Sequence, residues 1–268
     1  MSNSSVQQLP ERTKMERRIK AMREQKPILI TSHSVLGYPS WEFNETAIAE
    51  MVEAGVEIIE LQFPFSEPVA DGPTLAFANQ AATNSGVTTD QCFEFANKIC
   101  KRFPDTCFVI MTYYNVAYKR GISQFVQEAA QAGIDGIILP DLPPEESGEY
   151  VAECDKQGVS PIFLVTPKTA EARVDKVIEL SKGMLYCVAR LGVTGKQTLF
   201  TEEFHSYLAR IRAKTNMAIG VGFGVQTADD VAGLTGTADI AIVCSQAIKI
   251  GMEKGSKAAA DMLQGLRP

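Results

Sequence analysis

No apolar run in this sequence approaches the ~20 residues needed to span a bilayer. The N-terminus is polar and charged and has no apolar core region, so no secretory signal is expected. Histidine is scarce: His33 and His205 are the only two, too few for a histidine-rich metal centre. The six cysteines (Cys92, Cys100, Cys107, Cys154, Cys187, Cys244) include no CxxC pair. That spacing fits neither a disulfide framework nor a metal site, so reduced thiols in a cytoplasmic protein are expected, several of them core filler. Positive charge is not in excess either. The net charge is −6 and the basic residues are scattered beyond the N-terminal stretch, which argues against nucleic-acid binding. What remains is an ordinary globular composition, 45% hydrophobic and 22% charged, in 268 residues. That length allows two small domains or one barrel of about 250 residues.

Residues 1–10, rich in Ser and Gln, are expected to form a disordered tail ahead of a single domain spanning 11–268. In 11–25, Met15, Ile19 and Met22 fall at helical spacing and predict a short amphipathic helix. The chain then repeats one unit: helix, glycine stop, β-branched run, loop. Ala54-Gly55-Val56-Glu57, Ala132-Gly133-Ile134-Asp135 and Gln157-Gly158-Val159-Ser160 are equivalent joints. Each sets a glycine just past a helix and begins a strand directly after it. Strands are predicted near 27–33, 56–61, 107–112, 135–139, 160–165, 184–188, 217–221 and 239–243, with helices between, for example over 122–132, 171–180 and 202–213. Short apolar strands alternating with helices imply a parallel sheet with right-handed crossovers. The number of units favours an α/β fold of the (β/α)₈ barrel type with an extra N-terminal helix; a doubly wound open sheet is the alternative.

In such a barrel, chemistry gathers at the C-terminal ends of the strands. Glu60 ends the second predicted strand, where a buried carboxylate is costly unless it is used or paired. The segment 60–74 beyond it, Glu-Leu-Gln-Phe-Pro-Phe-Ser-Glu-Pro-Val-Ala-Asp-Gly-Pro-Thr, is too broken by proline and glycine for a helix or a ladder strand. Read alone, it also fits a capping glutamate followed by turn residues. Met111-Thr-Tyr-Tyr-Asn115 and Leu139-Pro-Asp-Leu-Pro143 close the next two strands, and Tyr186 leads into Arg190-Leu-Gly-Val-Thr-Gly-Lys196. That last loop reads as a lid over substrate or as a plain connection. Gly220-Val-Gly-Phe-Gly224, with Thr227, Asp229 and Asp230 opening a helix, follows the seventh strand; Cys244-Ser245-Gln246 follows the eighth. Glycine lets backbone N–H groups approach an anion, and a helix N-terminus favours its charge, so these loops are the candidate phosphate site.

Taken together and in this order, these motifs resemble the tryptophan synthase alpha subunit family, from about residue 15 to the C-terminus. The Pro-Phe-Ser-acid-Pro…Ala-Asp-Gly-Pro pattern is its most specific mark. The resemblance implies a (β/α)₈ barrel that cleaves indole-3-glycerol phosphate to indole and glyceraldehyde 3-phosphate with no cofactor or metal. It also implies a beta subunit partner in an α₂β₂ assembly, with pyridoxal phosphate in that partner only. By resemblance, Glu60 is the general acid/base, Asp71 the carboxylate facing the indole N–H, and Tyr186 the hydroxyl beside the reacting centre. Tyr113 and Phe223 match pocket walls, Thr194 a partner for Asp71 on lid closure, and Gly195, Gly224, Cys244 and Ser245 the phosphate cradle. Glu67 matches the loop facing the beta subunit.

The chemistry suits these residue types. Breaking the C–C bond needs a proton at indole C3 and removal of a side-chain hydroxyl proton. One carboxyl group that titrates near neutrality does both in turn, and burial moves carboxyl groups that way. A second carboxylate that accepts the N–H stabilises the cationic ring.

The chain departs from the family at His33, where an aromatic wall residue is usual, at Gln62, where glycine is usual, and at Cys244, also usually glycine. One reading has His33 filling the aromatic slot while Gln62 faces solvent. The other has a reshaped substrate pocket in which His33 and Gln62 both reach the indole site. The second leaves two further functions in play, an allosteric activator of a beta subunit with weak lyase activity, or a lyase for a related indole or aryl glycerol phosphate. At Cys244, a backbone requiring positive φ would strain cysteine.

Overall fold

The computed structural model describes residues 13–189, 201–222 and 224–267. The expected tail over 1–10, together with the loop 190–200 and Phe223, lies outside the described residues. Among the described residues nine parallel strands run β1 (Leu29–Val35), β2 (Ile58–Gln62), β3 (Cys107–Met111), β4 (Gly136–Ile138), β5 (Ser160–Ile162), β6 (Leu164–Val165), β7 (Met184–Val188), β8 (Ala218–Gly222) and β9 (Ile240–Ile242). Their hydrogen-bonded order is β5-β4-β3-β2-β1-β9-β8-β7-β6. The two ends of that order are consecutive in the chain. The single strand expected over 160–165 is divided at Phe163: its first part pairs with β4 and its second with β7. The division is where the barrel closes, because one strand changes partners there. The barrel therefore has its eight expected staves, and the open-sheet alternative is excluded.

The glycine joints work as the sequence predicts. Gly55, Gly133 and Gly158 have φ of 84°, 92° and 71°, which only glycine adopts freely. The joint also carries an acid with a structural task. Glu57, Asp135 and Asp239 lie immediately before β2, β4 and β9, and each accepts a backbone N–H from the neighbouring strand: Ile30 at 2.8 Å, Phe108 at 3.1 Å and Ile219 at 2.8 Å. Each is also paired with cations, Glu57 with Lys26 and Arg267, Asp135 with Lys14 and Arg18, Asp239 with Arg23 and Arg212. These acids fasten the N-terminal end of the barrel and are spoken for.

The N-terminal helix Lys14–Arg23 begins with a reciprocal cap between Thr13 and Glu16 and closes that same end. Met15 is fully buried; a Cβ on Gly183 would come within 2.5 Å of its sulfur, so glycine there makes room for the plug.

Residues alternate along each strand between two apolar layers. Ile30, Ile59, Leu61, Phe108 and Ile110 pack outward against the helices, while Leu29, Ile58, Val109, Met184 and Ile240 fill the interior. No helix among the described residues is long and apolar enough to cross a membrane.

Candidate active site

Period two decides which side chains meet at the C-terminal mouth. In the β1–β2 register His33 lies opposite Glu60 and Val35 opposite Gln62. Thr31 lies opposite Ile242 of β9, so two residues further along, His33 and Cys244 rise side by side. His33, Glu60, Asp71, Tyr186 and Cys244 line one small cavity of about 30 Å³, walled by Leu75, Met111, Ile138, Pro140 and Leu164. Gly222 faces the Tyr186 hydroxyl so closely that a Cβ there would lie 2.4 Å from it.

The polar groups form one chain. Glu60 Oε2 is 2.9 Å from His33 Nδ1; His33 Nε2 is 2.7 Å from Gln62 Oε1; the Gln62 amide donates to Asp71 Oδ2 at 2.7 Å. The same Asp71 oxygen accepts the Tyr113 hydroxyl at 3.1 Å, and that hydroxyl accepts the Ala70 N–H at 3.1 Å. Phe65 stacks on Tyr113, with ring centroids 5.4 Å apart. A residue that the motifs did not suggest, Asn79, completes the support. It accepts the Phe65 N–H at 3.1 Å and reaches Asp71 at 3.5 Å, tying the loop to the helix Pro73–Asn84. Its only sequence signal is an asparagine at a helix position that proves to be fully buried.

The picture of Gln62 facing solvent is overturned. Its side chain is fully buried and bonded at both ends. The reason is register: Glu60 and Gln62 are two apart on β2 and face inward together.

Titration follows from this crowding. Burial opposes charge on His33, but the hydrogen bond and charge of Glu60, helped by Gln62 and Asp71, outweigh it and raise its pKa. Burial pushes Asp71 up against the opposing bonds from Gln62 and Tyr113 and the charge of His33. It also pushes up the Tyr186 hydroxyl and the Cys244 thiol, each further raised by the Glu60 carboxylate. One oxygen of the cluster stands apart. Glu60 Oε1 is buried and has no hydrogen-bond partner among the described residues.

The phosphate candidates sit where adjacent strands end. Gly224 follows β8, and Cys244 and Ser245 follow β9, which pairs with β8. Gly224 has φ of 118°, a glycine conformation. Cys244 has φ of −101°, so the strain expected of a positive-φ cysteine does not arise. The helix Ala228–Leu234 is closed by its own Thr227–Asp230 cap, whereas Ser245–Lys254 has no side-chain cap and the Ser245 hydroxyl has no partner among the described residues. Of the two helix starts, the second is the one left for an anion. Thr194, Gly195 and Phe223 lie outside the described residues. Glu67 is exposed on the loop, away from the cavity.

Fold and site together define a (β/α)₈ barrel enzyme with buried carboxylates and hydroxyls gathered at the C-terminal mouth. A family model described as tryptophan synthase alpha chain matches residues 19–266. The tryptophan synthase alpha chains of Desulforapulum autotrophicum and Syntrophotalea carbinolica are each 45% identical over 94% of this chain, covering 99% and 100% of those proteins. A tryptophan synthase structure from Mycobacterium tuberculosis superposes with a TM-score of 0.87 at 28% identity, covering 96% of this chain and 100% of that one. The chain belongs to the tryptophan synthase alpha chain family.

Proposed function

We propose that this chain cleaves indole-3-glycerol phosphate by a retro-aldol reaction to indole and glyceraldehyde 3-phosphate. The observation that carries the reading is Glu60 Oε1, a buried carboxylate oxygen with no partner among the described residues, in the cavity shared with Asp71 and Tyr186. A buried acceptor left unsatisfied is costly unless a ligand completes it. Glu60 protonates indole C3 and then takes the hydroxyl proton of the glycerol chain. Asp71, oriented by Gln62 and Tyr113, accepts the indole N–H, and Tyr186 borders the reacting carbon. Phosphate rests on the start of the helix Ser245–Lys254 with Cys244, Ser245 and Gly224, and with Gly195 from the loop; Thr194 from that loop pairs with Asp71, and Phe223 bounds the ring. These steps move two protons and pass the electron pair of the broken C–C bond to the cationic ring, with no change that calls for a cofactor in this chain.

The partner is a tryptophan synthase beta subunit, in an α₂β₂ assembly, with pyridoxal phosphate on that subunit. Glu67 sits on the facing surface, where Val69 and Phe77 are 72% and 66% exposed. We place the protein in the cytoplasm.

A second reading has its own observation. His33 and Gln62 engage Glu60 Oε2 and Asp71 Oδ2, two groups the reaction uses. On that reading the chain is a weak lyase kept as an activator of its partner. Turnover of indole-3-glycerol phosphate with and without a beta subunit separates the two: the lyase produces indole in both, and the activator only accelerates its partner.

A further inference from the structure

The cavity holds a donor set that the lyase reading does not use as a set. His33, Glu60 and Cys244 each offer one ligand atom, and these atoms all lie within 4.8 Å of one another. Glu60 Oε2 is 2.9 Å from His33 Nδ1 and 3.8 Å from Cys244 Sγ. Bonds of about 2.0–2.3 Å in a tetrahedron place donors about 3.3–3.8 Å apart, so small side-chain rotations bring all three onto one ion. The residues are far apart in sequence, and no spacing motif announces them. The barrel's register brings them together.

The tautomer of His33 favours the same conclusion. Asp71, as a carboxylate, only accepts, so the Gln62 amide turns its N–H group to Asp71 and its oxygen to His33. His33 Nε2 therefore carries a hydrogen and donates it to Gln62. In the neutral ring this leaves the Nδ1 lone pair aimed at Glu60 Oε2. An outer hydrogen bond from one ring nitrogen is how a metal-bound histidine is oriented through the other. Here Gln62 supplies that bond, and Asp71 holds Gln62. The place a metal would take is now filled by a proton shared between Nδ1 and Oε2.

We infer that His33, Glu60 and Cys244 form a binding site for one divalent transition-metal ion of the zinc type. One imidazole, one carboxylate and one thiolate suit that borderline-soft class rather than magnesium or calcium. Three protein ligands leave a fourth position facing the cavity, as in an open zinc site. Binding releases two protons, the thiol proton and the one shared by His33 and Glu60. The two anionic ligands then balance the ion's charge. The ion also occupies Glu60, so metal and lyase chemistry compete for one carboxylate; this second half rests on the function proposed above.

The test uses the full chain, stripped by chelator, reduced and titrated with Co²⁺ under anaerobic conditions. One equivalent is expected to produce a thiolate-to-cobalt charge-transfer band in the near ultraviolet, and Zn²⁺ should abolish it. Cys244→Ser should lose that band and bind at least tenfold more weakly. Gln62→Leu should keep the band and bind about tenfold more weakly, since it removes only the orienting bond. Should Cys244→Ser fail to fold, protection decides: one equivalent of Zn²⁺ should shield Cys244 of the parent from alkylation, read by peptide mass spectrometry. No thiolate band in the parent, or an unchanged band in a folded Cys244→Ser, overturns the site, as does unaltered alkylation. Separately, one equivalent of Zn²⁺ should suppress indole-3-glycerol phosphate cleavage, with recovery on chelation. Metal bound with undiminished turnover overturns the competition alone. A metal-free parent without turnover removes the lyase reading and leaves the spectroscopic result standing.

Discussion

Replacing His33 by Phe and Gln62 by Gly should raise indole-3-glycerol phosphate turnover. In the parent, Glu60 Oε2 is held by His33 at 2.9 Å and Gln62 is bonded at 2.7 Å to both His33 and Asp71. A hydrogen bond to a charged group contributes about 1.5–3 kcal/mol. About 1.4 kcal/mol is a factor of ten in rate. Glu60 has to loosen that bond to deliver a proton, so freeing it should raise kcat about tenfold, and up to a hundredfold if the whole bond is lost on the way to the transition state. The imidazole pulls in the same direction. Its pKa is raised because Glu60 outweighs burial, so the ring holds a proton more firmly than a free imidazole does. The assay is steady-state cleavage by chelator-treated protein across pH, with each single variant and with the double variant in a Glu60→Gln background, where no gain is expected. Thermal melts separate a folding loss from a catalytic change. An unchanged kcat, KM and pH profile in the folded double variant would refute the reasoning.

Gly224→Asp should weaken glyceraldehyde 3-phosphate binding beyond the effect of Gly224→Ala, the control for placing any side chain at φ of 118°; equal affinity in the two variants would remove Gly224 from the phosphate site. Asp135→Ala should cost about 3 kcal/mol in denaturant unfolding, because it leaves the Phe108 N–H buried and unpaired and removes the carboxylate from Lys14 and Arg18, which keep backbone carbonyl partners. Its kcat should stay near the parent's at a temperature where both are folded, as the residue lies at the opposite end of the barrel.

The fold was largely legible because its punctuation is chemical. Gly55, Gly133 and Gly158 mark helix ends through a backbone conformation that other residues avoid. The division at Phe163 was not legible, since closure depends on which strands end up adjacent and leaves no local signal. Glu60 and Asp71 could be singled out because strand-end acids and a specific loop motif mark them. The chain through His33, Gln62 and Asp71 could not, because a one-residue shift of register would have sent Gln62 outward. Asn79 was hidden for a related reason: a buried polar side chain on a helix is identified only by what it packs against. Cys244 was flagged as a departure, yet its proximity to His33 and Glu60 arises from β1 and β9 being neighbours across the closed barrel.

The central claim is that Glu60 performs the proton transfers of indole-3-glycerol phosphate cleavage. Glu60→Gln preserves shape and removes the transferable proton, so kcat measured on metal-free protein should fall by about 10²–10⁴-fold with KM little changed. A loss of less than about tenfold would contradict the claim, because a general acid/base of this kind contributes more than that.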